Sequence, residues 1–148
     1  HIENIPGLLR EICRVGKSGG LLIINEMLNE NISELHESYL MYHKLAAELD
    51  NNLGLYHRET YTLKEMIAML KSVNMQICDY FIHTEEADHF MNPAEIEEIS
   101  ERLRNKVARL KGSDYYYFYE NKAREIINKF KITGIHRPRH VTFILQIP

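Results

Sequence analysis

One segment near the start constrains this chain more than any other. Ile5 to Met27 reads IPGLLREICRVGKSGGLLIINEM. Asn4 can cap a helix here, and Pro6 suits its first turn. Leu8, Leu9, Ile12 and Val15 recur at helical spacing and predict one apolar stripe. Gly16, or the Gly19-Gly20 pair, ends the helix. Leu21 to Ile24 follows with no polar residue in alternation. A strand apolar on both sides belongs in a sheet covered on both faces, which is the α/β arrangement. The strand closes on Asn25 and Glu26.

The rest of the chain continues in the same style. Ser33 opens a second helix, with Ile32 just outside it and Leu35, Tyr39, Tyr42, Leu45 or Ala46, and Leu49 as its stripe. Asn51, Asn52 and Gly54 end it. Thr62 and Glu65 form a capping box, and Leu63, Met66, Ile67, Leu70 and Val73 face inward along that helix. Asn74 breaks it, and Met75 to Ile82 reads as a strand. Asn92-Pro93 starts a fourth helix with the stripe Ile96, Ile99, Leu103, Val107 and Leu110, closed by Gly112. Ser113 or Asp114 caps a fifth, carrying Tyr115, Tyr119, Ile126, Ile127 and Phe130 up to Gly134. A basic loop, HRPRH, leads to a last strand, Val141 to Ile147. The order α-β-α-α-β-α-α-β favours α/β over a helical bundle.

Composition limits what such a chain does. It has 148 residues, one domain's worth, and a net charge of −3, which gives no general attraction to nucleic acid or anionic membrane. The longest wholly aliphatic run, Leu21 to Ile24, is far short of the ~20 residues that span a bilayer. No signal peptide opens the sequence. Cys13 and Cys78 each fall in an apolar pattern and read as two buried free thiols in a reducing cytoplasm. The first residue is His, so a processed, cleaved or truncated chain is expected.

Taken in order, LLREICRVGKSGGLLIINEM, a helical insert, and YTLKEMIAMLKSVNMQICDYF resemble the C-terminal half of Rossmann-like S-adenosylmethionine-dependent methyltransferases, ubiquinone-biosynthesis-type enzymes in particular. Leu9, Glu11, Arg14 and Val15 match the family's helix. Lys17, Gly19 and Gly20 match its turn, and His1 stands where the fourth strand ends. Gly16 replaces the usual Leu and Ser18 the usual Pro. The resemblance implies an α/β fold made of the C-terminal portion of such a sheet, about three strands, with Val141 to Ile147 as the seventh, antiparallel strand. Residues 1–148 then form a single truncated α/β domain. A helical lid insert occupies about 30–58, and a second helical insertion occupies about 92–133, before the last strand.

The same resemblance implies S-adenosylmethionine as cofactor of the full-length protein and a small molecule as methyl acceptor. It points to Glu26 and His1 as catalytic residues at adjacent strand ends. His1 also lies at the cofactor edge, and Asn25, Tyr39, Tyr42 and His43 stand on the substrate side. The family's glycine-rich loop and its ribose-binding acid are absent from these residues. This chain is therefore expected to be inactive by itself, with an exposed sheet edge that favours self-association.

Three other patterns carry weaker signals. His36, His43, His83, Asp88 and His89 lack the spacing of a metal motif, and no metal is expected. Tyr115 to Tyr119 are too many consecutive aromatics for one stripe. Two or three belong to the core, and the remainder line a pocket or an interface. Arg137 and Arg139 around Pro138 give the only hint of an RNA methyltransferase, although a solvated loop is the plainer reading. A non-catalytic, self-associating α/β fragment is the alternative from a different class.

Overall fold

The computed structural model describes residues 2–30, 33–84 and 90–148. Its elements are α1 (Ile5–Val15), β1 (Leu21–Met27), α2 (Glu34–Asn52), α3 (Leu63–Ser72), β2 (Gln76–His83), α4 (Pro93–Ala108), α5 (Tyr116–Thr133) and β3 (His140–Gln146). The order is the one the hydrophobic periodicity predicts. The chain divides into two compact units: residues 1–31, 60–85 and 138–148, and residues 32–59 and 86–137. The two helical inserts together make the second unit.

The first unit is a three-stranded sheet in the order β1-β3-β2. β3 runs antiparallel to both neighbours, so β1 and β2 point the same way. Ile23 faces Ile144 and Asn25 faces Thr142 on one side; Phe81 faces Thr142 and His83 faces His140 on the other. The register on β2 shifts between Ile77 and Asp79, which leaves Cys78 at the irregularity. Cys78 is exposed and Cys13 half-buried, both as free thiols, so the expectation of two buried cysteines does not hold.

Helices α1 and α3 cover one face of this sheet. Leu9, Met66, Leu70 and Val73 pack with Val141, Phe143 and Leu145. Asn4 caps α1 by accepting from the Gly7 N–H at 2.9 Å. The Thr62–Glu65 capping box forms as expected. The buried stripe of α1 is Ile5, Leu9, Ile12 and Cys13. Leu8 and Val15 project outward, with Val15 64% exposed. Both the predicted set and the observed one have helical spacing, and only the position of the sheet selects between them.

The turn after α1 shows why glycines stand there. A Cβ on Gly16 would lie 2.5 Å from the Ile147 side chain, and Gly19 has φ +76°. The Gly19 N–H donates to the Ile147 carbonyl at 2.9 Å, closing the turn onto the end of β3.

β1 is not covered on both faces. Leu21 and Ile23 are 69% and 67% exposed, while Leu22 and Ile24 turn toward the helices. An unbroken aliphatic run gives no phase, so the sequence could not show which of its residues lie outside.

The second unit is built from α2, α4 and α5. Its core joins Leu45, Leu49, Ile99, Leu103, Ile126 and Phe130. Asn92 caps α4 by accepting from Ala94 N–H. The cap residue of α5 is Tyr115, without a side-chain bond, rather than Ser113 or Asp114. Tyr116 and Tyr119 pack against the core, whereas Tyr115, Tyr117 and Phe118 are exposed. Leu35, placed on the α2 stripe from sequence, is also exposed. Lys122–Glu48 and Lys129–Glu37 tie α5 to α2 at the surface; such pairs add about 0–1 kcal/mol each. No described helix is long and apolar enough to cross a membrane.

Candidate functional site

The strand ends of the first unit gather its polar side chains. Asn25 lies two residues before the end of β1, His83 ends β2, and His140 and Thr142 begin β3. Cross-strand pairing puts all four on one sheet face, because side chains alternate along a strand. The Asn25 Nδ2 donates to Thr142 Oγ1 at 2.8 Å and lies 3.1 Å from His83 Nε2. Thr142 Oγ1 lies 3.1 Å from the same His83 nitrogen. On the other side, His140 Nδ1 meets Asn25 Oδ1 at 2.9 Å. The two imidazoles are 5.9 Å apart between centroids, and Phe81 flanks His83 at 5.7 Å.

This is the end of the sheet where ligands bind in open α/β folds, outside the carboxyl ends of the strands. Asn25, expected on the substrate side, belongs to the cluster. Glu26 does not. It pairs with Val141 on the helix-covered face, half-buried, and accepts from the Met27 N–H at 3.3 Å. The alternation that aims Asn25 outward therefore aims Glu26 away from it. His1 lies outside the described residues. Sequence reasoning missed His140 and Thr142 and treated His83 only as a weak metal candidate. Their signal is the register of three strands, which no local pattern carries.

Tyr39, Tyr42 and His43 lie in the helical unit. Tyr39 and Tyr42 are 5.7 Å apart, and Tyr42 is 6.0 Å from Phe130. Burial raises the Tyr42 pKa, so its hydroxyl stays protonated. His43 meets His57 edge-on at 5.1 Å. Burial, then the neighbouring His57, lowers the His43 pKa. His57 Nδ1 pairs with Asp50 Oδ2 at 2.7 Å, and Lys106 pairs with the other oxygen of Asp50. Asn51 clamps the His57 backbone at both its N–H and its carbonyl. Burial pushes the Asp50 carboxyl up, but the Lys106 and His57 hydrogen bonds outweigh it and hold the carboxyl below its usual range. This buried network fixes the loop after α2.

The HRPRH segment is not a solvated loop. Pro138 is fully buried, and His136 stacks on Phe90 at 4.6 Å. Arg137 is ion-paired with Glu95 and sits 5.8 Å from the Tyr39 ring. Its charge is thus already engaged. Among the described residues no three His, Cys, Asp or Glu side chains are placed to hold a metal ion; Asp88 and His89 lie outside the described residues. An open groove of about 720 Å³ between α4 and α5 carries charges of both signs, among them the ion pairs Arg104–Glu97 and Arg124–Glu120.

No family model and no curated protein matches the sequence. Solved structures do. The whole chain is similar to 60% of a putative methyltransferase from Bacillus halodurans C-125, with a TM-score of 0.50 and 17% identity. It is also aligned, at a TM-score of 0.40 and 17% identity, with 31% of phosphoethanolamine N-methyltransferase 2 from Haemonchus contortus in complex with S-adenosyl-L-methionine. The chain thus spans less than two thirds of either protein. At this identity the likeness to the Bacillus halodurans protein is one of fold: a mixed α/β architecture of methyltransferase type, with a three-stranded antiparallel sheet and flanking helices.

Proposed function

We propose that this chain is part of an S-adenosylmethionine-dependent methyltransferase that acts on a small molecule, and that the Asn25–His83–His140–Thr142 cluster lies on its acceptor side. The observation that carries this reading is the placement of the cluster at the carboxyl ends of β1 and β2, in a fold shared with a putative methyltransferase. The described residues do not themselves fit the cofactor. Gly19 and Gly20 lead into a strand, so they offer no helix N-terminus to a ligand, and Gly54, Gly112 and Gly134 follow helices. In this reading the cofactor is held by other parts of the whole protein. Isothermal titration with S-adenosylhomocysteine tests it. The whole protein is expected to bind and the 148-residue chain is not; absence of binding by the whole protein overturns the reading.

The exposed Leu21 and Ile23 favour a second reading, a non-catalytic fragment that self-associates through β1. A bare apolar strand at a sheet edge is a template for pairing. Light scattering on the 148-residue chain is expected to show a dimer or larger, and Ile23→Lys to shift it toward monomer. A monodisperse monomer in the unsubstituted chain rules this reading out.

A further inference from the structure

The atoms of the strand-end cluster restrict where its protons sit. An amide Oδ1 only accepts and an amide Nδ2 only donates. With Asn25 as placed, His140 carries its proton on Nδ1, and His83 Nε2 is an acceptor facing both Asn25 Nδ2 and the Thr142 hydroxyl. The His83 proton then sits on Nδ1. Turning the Asn25 amide by a half-rotation exchanges every role without moving a heavy atom beyond the amide itself. Oδ1 then accepts from His83 Nε2–H and from the Thr142 hydroxyl, and Nδ2 donates to His140 Nδ1. As placed, separate protons serve all four contacts; in the turned arrangement the single His83 Nε2–H is shared between Asn25 Oδ1 and Thr142 Oγ1. His83 Nε2 is committed to the cluster in either arrangement, so Nδ1 is the ring nitrogen left for a ligand.

We propose that His83 is the proton-accepting base of this site, with Asn25, Thr142 and His140 as its positioning residues. In the turned arrangement His83 presents the Nδ1 lone pair. A ligand O–H or N–H gives its proton to Nδ1; the ligand bond breaks, the N–H bond forms, and the electron pair stays on the ligand atom. The resulting imidazolium is held through Nε2–H on Asn25 Oδ1, an amide anchoring a histidine base as in Cys-His-Asn sites. The titratable neighbour facing His83 in the cluster is His140 from β3; β1 contributes the neutral Asn25 amide, and Glu26 projects from the opposite face. Only the identity of the ligand as a methyl acceptor rests on the proposed function.

Imidazole ¹⁵N shifts of the whole protein near pH 8 test the assignment. Asn25→Asp places an acceptor on both sides and is expected to lock His83 with its proton on Nε2; Asn25→Leu is expected to release it to the solution tautomer mixture. A His83 proton found on Nδ1 in both the unsubstituted protein and Asn25→Asp overturns the proposal. His83→Gln is expected to lower kcat by about 10²–10⁴-fold while S-adenosylhomocysteine affinity stays the same; an unchanged kcat also overturns it. Failure of the whole protein to bind S-adenosylhomocysteine defeats the methyltransferase reading instead, and the tautomer result still decides the role of Asn25.

Discussion

Phe130→Ala is expected to destabilise the helical unit by about 3–5 kcal/mol, the usual range for deleting a buried aromatic ring. Phe130 is fully buried where α5 meets α2, with Tyr42 6.0 Å away and Leu103 and Ile126 in the same cluster. Truncation leaves a cavity that three helices must close without losing their other contacts. Against a total stability of roughly 5–15 kcal/mol this removes a large share. Thermal unfolding followed by helical circular dichroism is expected to show the midpoint falling by about 10 °C. Ile132→Ala, two residues along the same helix and 77% exposed, is the control, with a change within about 0.5 kcal/mol. A similar small change for Phe130→Ala would mean that α5 does not pack as described.

Asp50→Asn is the second large effect. The carboxylate sits between Lys106 and His57 and is almost wholly buried. Removing its charge leaves Lys106 without its counter-ion. Breaking a buried pair in this way costs about 3–5 kcal/mol. The Lys106 side chain is 29% exposed and keeps part of its hydration, so about 2 kcal/mol is expected at pH 7.

The pH dependence gives a sharper signature. The folded-state pKa of Asp50 is depressed below 3.8, so its contribution is present above that value and is lost as pH falls through the folded value. His43 has the same sign. Its pKa is depressed below 6.5 by burial and then by His57, so the folded state resists its protonation, and stability declines as pH falls below that range. Urea midpoints measured across pH separate the two. Asp50→Asn is expected to keep the decline that starts below about pH 6.5 and to lose the one below about pH 4. An unaltered acid limb would remove Asp50 from the account.

Much of the architecture is legible from local chemistry. The Asn4, Thr62 and Asn92 caps, the glycine turn and the apolar periods fix which residues are helix and which are strand, because each depends on neighbours within about four positions. Phase is less legible. The stripes of α1 and α2 were displaced at Leu8, Val15 and Leu35, since several nearby apolar sets satisfy the helical period and the partner surface chooses among them.

The candidate site was legible in one residue of its four. Asn25 stands at a strand end that the sequence shows directly. His83, His140 and Thr142 lie 58 to 117 positions from it and reach it through the register of β3 between β1 and β2. Sequence by itself determined the elements, their order and the resemblance, because these follow from local propensity and spacing. The tertiary structure alone decided that Asn25 and Glu26 part to opposite faces of the sheet and that two histidines share one amide, because strand pairing is a long-range choice that no short stretch of chain encodes.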